Sequence, residues 1–446
     1  MTARSAQAHR DTSPVGSTPD KTRRPGYAPV TNVGVGRRGM HTRDRILACA
    51  ADVFLTHGFH STSLDTIAKA ANASRATVYQ YFAGKEDIFR ELSTSAGRDM
   101  LIHGEHLGEL GPTVAGVEEL HRWLADWADI YDTHAAVFAE FPGIGTATGL
   151  SVIDTGEVAE QYRLMVTERL RHAPLDGLDL HDAAAVLGRI PHMVNLYRHR
   201  AMFPLPDRSV VSWSLTVALQ LMLFPDTPAD ILRAAAPQVV ASAGTPSAVV
   251  EPTAAITRVA AVLLSPIAQD VLSVSSALFA EHGYYAVSME EIATATELSR
   301  ATLYRYFSTK DRILAELTRR AVAEIEEHAA ALPQMAQSSL RDWMLRYVRF
   351  HRNYRGVIRA WLDGTVAEQM SDADIDHGIG AIQRAVAALL DTVALPVGIE
   401  PQVAVAVFLA VLGRMNEPTA AAEADSDERA AELMVNLLRR SLLRAA

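Results

Sequence analysis

The sequence of 446 residues lacks the features that mark secreted and membrane-spanning proteins. It contains one cysteine, Cys49, so no disulfide can form within the chain, which is typical of a reducing cytoplasm. Its N-terminus has no apolar segment of the kind found in signal peptides. The longest apolar run, Val403–Leu412, is much shorter than the roughly 20 residues that a membrane helix needs. We therefore expect a cytoplasmic protein without a membrane span.

Basic charge and catalytic motifs are also scarce. The chain has 42 Lys and Arg against 52 Asp and Glu, a formal net charge of −10. This balance argues against general polyanion binding, so any nucleic-acid site must be local. No phosphate-binding loop, nucleophile elbow, H-E-x-x-H or other metal-ligand spacing occurs. We accordingly predict a protein that is not an enzyme and needs no cofactor or metal.

What the chain does contain is an internal repeat. The stretch SRATVYQYFAGK begins at Ser74, and SRATLYRYFSTK begins 225 residues later, at Ser299. Eight of the twelve positions are identical. The segment VLGR recurs at the same interval, at Val186–Arg189 and Val411–Arg414. Self-similarity at a fixed interval indicates a duplicated structural unit.

Apolar residues recur with the period of a helix, and no stretch alternates with the period of a strand. Ile46, Cys49 and Phe54 share one face of a predicted first helix, with Thr42 as its N-cap and Gly58 at its end. We therefore predict an all-α protein of two similar units. The predicted domains are a disordered basic tail (1–39), a helical head (40–88), a helical body (89–224), a linker (225–262), a second head (263–313) and a second helical body (314–446).

The repeated stretch predicts a helix-turn-helix. Ser63 precedes an amphipathic segment, a polar break follows at Asn72, and Ser74 starts a second helix. The turn residue must tolerate a positive φ, which asparagine does better than most residues. Because a helix N-terminus attracts phosphate, the first turn of the second helix is suited to meeting DNA.

Polar residues of this motif recur together with the apolar ones, whereas helix packing alone would require only the apolar positions. An arginine in the first turn can bond guanine bidentately, which discriminates by about 1–3 kcal/mol. Tyrosine hydroxyls and the lysine are expected at phosphates. The predicted DNA contacts are Ser63, Ser74, Arg75, Ala76, Thr77, Tyr79, Tyr81 and Lys85 in the first copy, and Ser288, Ser299, Arg300, Ala301, Thr302, Tyr304, Tyr306 and Lys310 in the second.

The segment Thr62–Phe89 resembles the DNA-binding domain of TetR-family regulators, as does its second copy. The resemblance covers about 45 residues in each half and implies double-stranded DNA as the partner. Two departures concern the turn, where the family's usual glycine is Asn72 or Glu297. Glutamate at a positive φ costs roughly 1 kcal/mol or more, so we expect a slightly different and weaker second motif.

The middle of each half is rich in aromatic residues, which favours either a helix–helix core or an apolar pocket. The resemblance implies that this region binds a small effector and forms a dimer. We expect a mostly apolar ligand of unknown identity. The predicted pocket residues are Trp123, Trp127, Tyr131, Phe138 and His192 in the first half, and Trp343, Tyr347, Tyr354 and Trp361 in the second.

The resemblance implies a regulator, most simply a repressor that an effector releases from DNA. Because one chain already has two heads, we expect its halves to pack on each other as an intrachain pseudo-dimer that reads an asymmetric site. Further self-association stays open. The alternative is a helical scaffold or adaptor in which one or both helix-turn-helices have degenerated.

Overall fold

The computed structural model describes residues 37–140, 155–237, 265–334, 339–362, 372–417, 419 and 426–444. Within these ranges the chain forms α-helices and one short 3-10 turn, Leu332–Gln334, and no strand, which confirms the predicted all-α class. Most of the basic tail (1–36) and residues 238–264 of the linker region lie outside the described residues.

The first half contains ten helices among the described residues, and the second half contains nine. Those of the first half are α1 (Arg37–His57), α2 (Leu64–Ala70), α3 (Arg75–Tyr81), α4 (Lys85–Glu105), α5 (Val114–Thr133), α6 (Ala135–Phe138), α7 (Thr155–Leu170), α8 (Leu180–His199), α9 (Arg208–Leu223) and α10 (Ala229–Ala234). Those of the second are α11 (Pro266–His282), α12 (Met289–Ala295), α13 (Arg300–Tyr306), α14 (Lys310–Ala331), α15 (Leu340–Asn353), α16 (Arg355–Leu362), α17 (Asp372–Leu390), α18 (Pro401–Arg414) and α19 (Asp427–Ser441).

The first helix of each half ends where the sequence predicts, at a glycine with a positive φ. Gly58 has φ 72° and Gly283 has φ 80°, and each donates its N–H to a carbonyl of the last helical turn. A residue without Cβ adopts this conformation at little cost. The start of α1 differs from the prediction, because the helix begins at Arg37 and Thr42 lies inside it rather than at its N-cap.

The predicted linker starts later than expected. Residues 225–237 remain attached to the first half, where α10 packs against α5 and the side chains of Leu232 and Ala235 are buried. The apolar contacts of these two residues explain the difference, since a flexible linker would leave them in water.

The two halves pack on each other through helices α8 and α9 of the first and α18 and α19 of the second. The apolar run Val403–Leu412 lies in this contact, and each of its ten side chains is at most 8% exposed. Burying such a side chain stabilises the fold by about 1.5–3 kcal/mol. The run is therefore a core segment, and no helix in the described part of the chain is long and apolar enough to cross a membrane.

Across the same contact, arginine side chains of each half donate hydrogen bonds to main-chain carbonyls of the other half. Arg189 donates to the carbonyls of Arg414 (3.2 Å) and Glu417 (2.9 Å). Arg440 donates to the carbonyls of Met222 (2.5 Å) and Leu223 (2.9 Å) at the end of α9. These bonds satisfy carbonyls that a helix end would otherwise leave without a donor.

Equivalent residues of the two copies contact each other at two places. The rings of His60 and Tyr285, which are 225 positions apart, stack with centroids 3.9 Å apart and an interplanar angle of 19°. Arg189 and Arg414 are related by the same interval and share a hydrogen bond. A residue that contacts its own equivalent must lie close to a twofold axis. The halves therefore face each other in the manner of an isologous interface.

A substitution in the loop before α18 can test whether the two halves must pack closely at this point. Gly398 has φ 94°, and a Cβ at this position would lie 2.8 Å from Nε1 of Trp213 in α9. We expect Gly398→Ala to lower the free energy of unfolding by about 1–3 kcal/mol, from backbone strain and overpacking together. Urea denaturation of the purified chain measures this.

Gly177 is the matched control. It precedes α8 as Gly398 precedes α18 and has φ 66°, but its Cβ would meet only Arg440, at 3.9 Å. Gly177→Ala should therefore show the backbone cost alone. If both variants lost the same stability, close packing of Gly398 against α9 would not contribute.

Candidate functional site

The first helix-turn-helix is built as the sequence predicts, from α2, a tight turn and α3. The hydroxyl of Ser63 caps α2 by accepting the N–H of Thr66 (3.1 Å), and that of Ser74 caps α3 by accepting the N–H of Thr77 (3.0 Å). Asn72 takes φ 46° in the turn. The N–H of Ala73 closes the turn on a carbonyl of α2. These bonds satisfy donors and acceptors that the ends of two short helices leave open.

The second helix-turn-helix has the same turn, although a weaker one was expected. Glu297 takes φ 55°, and the N–H of Leu298 donates to Ala293 at 2.9 Å, the distance also found from Ala73 to Ala68. A capping box at Ser288, whose partner is Glu291, adds two bonds that hold α12. The glutamate therefore raises the free energy of the turn conformation but leaves the turn geometry unchanged.

The second helix of each motif separates into a buried and an exposed side. Val78 and Leu303 are fully buried, and Phe82 and Phe307 are buried below them. The opposite side carries the predicted DNA contacts. Among these, Ser63, Ser74, Arg75, Ala76, Ser288, Ser299, Arg300, Ala301 and Tyr304 are exposed, while Thr77, Tyr79, Tyr81, Thr302 and Tyr306 are half-buried.

The two arginines are held by a carboxylate of the preceding helix, which the sequence did not predict. The guanidinium of Arg75 donates to Asp65 (3.1 Å) and to the hydroxyl of Tyr79 (3.3 Å). The hydrogen bond to Tyr79 and the charge of Asp65 raise the pKa of Arg75. In the second copy Arg300 pairs with Glu290, the equivalent of Asp65. Both pairs are well exposed, so water and salt screen them strongly.

The conserved lysines do not lie where the sequence placed them. The ammonium of Lys85 turns inward and donates to the carbonyls of Phe59 (2.8 Å), His60 (2.9 Å) and Thr62 (2.9 Å). Lys310 donates in the same way to Tyr284 (2.6 Å) and Val287 (2.7 Å). Burial lowers the pKa of both lysines. Expected as phosphate contacts, they instead fasten the loop between the first two helices of each head.

The heads differ in charge. From Leu64 to Tyr81 the first motif has one acidic and two basic residues, whereas from Met289 to Tyr306 the second has three acidic and two basic ones. The carboxylates of the second motif belong to Glu290, Glu291 and Glu297, and all three residues are exposed. A polyanion would therefore be attracted more weakly to the second head.

A cavity of about 720 Å³ lies in the first half, between helices α4, α6, α7 and α8. Of the predicted pocket residues, Trp127, Phe138 and His192 line it. Trp123 and Tyr131 are not among its described lining residues. The indole of Trp123 instead donates to the carbonyl of His103 (3.1 Å) in the core, and Tyr131 is fully buried against Phe138.

At the corresponding place the second half has a small cavity of about 120 Å³, and a separate cavity of about 470 Å³ lies between α14 and α15. Tyr347 and Trp361 line the small cavity, together with Tyr197, which the first half contributes. Trp343 and Tyr354 are not among the described residues of its wall. Trp343 repeats the role of Trp123, since its indole donates to the carbonyl of His328 (3.0 Å). The ring of Tyr354 packs beside Phe350 instead.

Several cavity residues were not predicted, among them Tyr162, Gly188, Arg414 and Glu417. Gly188 lies in the first VLGR segment and Arg414 in the second, and this repeat was the one available signal. Tyr162 and Glu417 join them only in the folded chain. No cluster of His, Cys, Asp and Glu among the described residues could hold a metal ion.

Comparison with known proteins agrees with this geometry. The sequence model described as bacterial regulatory proteins, tetR family, matches residues 46–92 and 271–317. Each match begins in the first helix of a head, contains its helix-turn-helix and ends in the fourth helix of the half.

Similar proteins include three bacterial HTH-type transcriptional regulators. The chain is 31% identical over 115 residues to the uncharacterized regulator YhgD of Bacillus subtilis, covering 25% of this chain and 59% of that protein. It is 40% identical over 57 residues to YdgC of the same species, covering 13% and 29%. It is 41% identical over 56 residues to AcrR of Shigella flexneri, covering 13% and 26%. The chain thus spans between about a quarter and three fifths of these relatives.

Two matches to one family, each on a helix-turn-helix with the same caps and turn, bear out the resemblance seen in the sequence. The chain carries twice the domain that the model of bacterial regulatory proteins, tetR family, describes.

Proposed function

We propose that this chain is a DNA-binding transcriptional regulator whose two heads read successive major grooves. The observation that carries the proposal is the exposed arginine in the first turn of both α3 and α13, on helices capped by Ser74 and Ser299. A recognition helix meets base edges with its N-terminal residues. The buried Val78 and Leu303 hold that face outward.

The carboxylates beside the two arginines compete with DNA for the guanidinium groups. Asp65 neutralises Arg75 in the free protein, and Glu290 neutralises Arg300. Binding a guanine requires each guanidinium to leave its carboxylate, which costs little because the pairs are exposed. The hydroxyls of Tyr79 and Tyr304 and the two helix N-termini are suited to neighbouring phosphates.

The regulator is proposed to be a repressor released by a small effector. The cavity supports this, because its size suits a small molecule and α6 contributes Val137 and Phe138 to its wall. Directly after α6, the carboxylate of Glu140 accepts the N–H of Phe59 in the first head (3.2 Å). A ligand that moves α6 would thus favour another position of this head and a spacing that no longer fits DNA.

One chain is proposed to act as a pseudo-dimer. Contacts between equivalent residues, His60 with Tyr285 and Arg189 with Arg414, support this arrangement. Two heads in one chain suffice for two half-sites about one helical turn apart. Because the heads differ at their exposed positions, the operator should be asymmetric.

The charges of the second head also favour an alternative in which only the first head reads bases. Its three exposed carboxylates would weaken contact with phosphate. On that reading α12 and α13 no longer read bases, and the surface has become a scaffold or adaptor. Separate variants of the two arginines distinguish these cases.

Arg75→Ala should weaken binding by about 1–3 kcal/mol and relax the preference at one base position, because a bidentate contact with guanine is lost. The assay is an electrophoretic shift on DNA that the wild-type chain selects from a random-sequence pool. Arg75→Lys is the matched variant, since it keeps the charge but not the bidentate geometry. Arg300→Ala should relax the preference at a second base position. Unchanged affinity after both Arg→Ala changes together would rule out base reading, and an effect of Arg75 alone would favour the degenerate second head.

Light scattering of the complex on a minimal operator tests the pseudo-dimer. We expect one chain per site and no palindrome in the selected sequence, because one chain supplies both heads. Two chains on a palindromic site would show instead that the family's usual pairing of separate chains persists here.

Lys85→Met separates the structural role of this lysine from a DNA contact. Three carbonyls would lose their donor, so the free energy of unfolding should fall by about 1–3 kcal/mol. The slope of log affinity against log salt should stay unchanged, because no phosphate contact is removed. Lys310→Met repeats the test in the second head. Normal stability with a shallower salt slope would restore the phosphate contact that the sequence predicted.

A further inference from the structure

The large cavity belongs to the first half but is completed by the second. Arg189 of α8 lines it together with Arg414 and Glu417, which lie at the end of α18 and just beyond it. Arg414 and Glu417 also line the small cavity of the second half. The inner end of the large cavity is therefore the contact between the halves.

Positive charge is in excess around this cavity. The titratable side chains other than histidine and tyrosine that line it, among the described residues, are Arg90, Arg98, Arg163, Arg189, Arg414, Glu160 and Glu417. Among these residues, Arg163 pairs with Glu160 (2.5 Å), and Arg90 pairs with Asp87 (3.0 Å). The inner end instead has two arginines beside one glutamate.

The inner arginines are mostly buried and only partly compensated. The side chain of Arg414 is 12% exposed and lies 3.5 Å from the carboxylate of Glu417. Its Nε atom is buried without a hydrogen-bond partner in the described part of the chain. Burial lowers the pKa of Arg189 to about 10. The charge of a third arginine, Arg359, also acts on the carboxylate of Glu417.

The carboxylate of Glu417 already interacts with the charges of several arginines, so it is not a site for a further cation. Burial acts to raise its pKa, but Arg414, Arg189 and Arg359 outweigh burial and hold the pKa of Glu417 below its usual value. A buried cluster with more cations than anions attracts an anion and disfavours another cation. The remaining wall is largely apolar and includes Met100, Leu101, Trp127 and Phe138.

We propose that the large cavity binds one amphipathic organic anion per chain, with an apolar body between α4 and α7 and a carboxylate or sulfonate group at Arg189 and Arg414. The volume of about 720 Å³ is within the range of small-molecule sites. An anionic group there would accept a hydrogen bond from the buried Nε of Arg414 and would lie beside the positive charge of Arg189.

The stoichiometry follows from the difference between the halves. The small cavity of about 120 Å³ is closed by large side chains, including Tyr197, Tyr347 and Trp361. It leaves no room for a second molecule of the same size. The two arginines nearest the axis therefore serve a single ligand, on the side of the first half.

This inference deepens the proposed function, on which it rests only in calling the ligand an effector. An anion at Arg189 and Arg414 would contact both halves at once. Arg359, whose charge acts on Glu417, donates to the carbonyl of Ala280 in the first helix of the second head (3.2 Å). The group of charges at Glu417 thus includes a side chain that contacts the second head.

The experiment is calorimetric titration of the full chain, without DNA, with dodecanoate, dodecanol and dodecylammonium below their aggregation concentrations. These probes share the apolar body and differ in the charge of the head group. We expect one dodecanoate per chain, bound more tightly than dodecanol, and the weakest binding for dodecylammonium. Arg414→Gln should weaken dodecanoate about 10- to 100-fold, as loss of a charged hydrogen bond does, and leave dodecanol within a few-fold.

Three further variants, one test and two controls, keep the proposal testable if Arg414→Gln proves unstable. Gly188 lies in the cavity wall, and a Cβ there would meet only Tyr162, at 4.0 Å. Gly188→Leu should therefore fill the cavity and abolish binding without lowering the melting temperature. Gly413→Ala is its counterpart in the second half, and exposed Arg171→Gln is the charge control. Both should leave binding unchanged.

Several results would overturn the proposal. These are two dodecanoate molecules per chain, equal affinity for the acid and the alcohol, preference for the ammonium, binding that survives Gly188→Leu, or no binding by any probe. An electrophoretic shift of the ligand-free chain is measured separately. Loss of that shift with intact dodecanoate binding would contradict the proposed DNA binding and leave the cavity's ligand class standing.

Discussion

The apolar contact between α8–α9 and α18–α19 is the constraint on which the rest of the molecule depends. Ten consecutive residues of α18 are buried, so this segment has no stable existence apart from its partner helices. Because both sides of the contact belong to one chain, its formation does not depend on protein concentration. The same contact brings His60 to Tyr285 between the heads and Arg189 to Arg414 between the bodies. Head positions and cavity shape are both set by this one face.

Joining two copies in one chain also lets them diverge. In a dimer of identical chains every substitution appears twice across the axis. Here a large cavity in one half faces a small one in the other, and Tyr197 helps to close the latter. The heads show the same divergence, since Asn72 corresponds to Glu297 and Lys69 to Thr294. The shared turn geometry shows that the fold tolerates these changes, while the exposed charges alter what each head attracts.

The heads could be predicted from the sequence because their determinants are local. Serine caps, a turn residue with a positive φ and the helical period of apolar residues lie within about 20 positions of one another. Lys85 was misplaced because the direction of its side chain depends on the loop carbonyls at Phe59 and Thr62, which only the folded chain brings near it. The cavity was still harder to predict. Trp123 and Trp127 occupy one helix face and share His103 of α4 and Tyr162 of α7 as neighbours, yet one belongs to the core and the other to the wall, a difference that only the folded chain sets.

Both heads are attached to their bodies by close packing, which bears on how a ligand at the axis would act. In the second half, a Cβ at Gly356 of α16 would lie 2.4 Å from the backbone nitrogen of Ala280 in α11. In the first half, α1 packs on α6, and the carboxylate of Glu140 just beyond α6 accepts the N–H of Phe59. Close packing transmits a displacement as a rigid unit. The wall of the large cavity includes residues of α6 and, among its described lining residues, none of α16, so a ligand there would act first on the first head and the asymmetry of the cavities would reappear as an asymmetric motion of the heads.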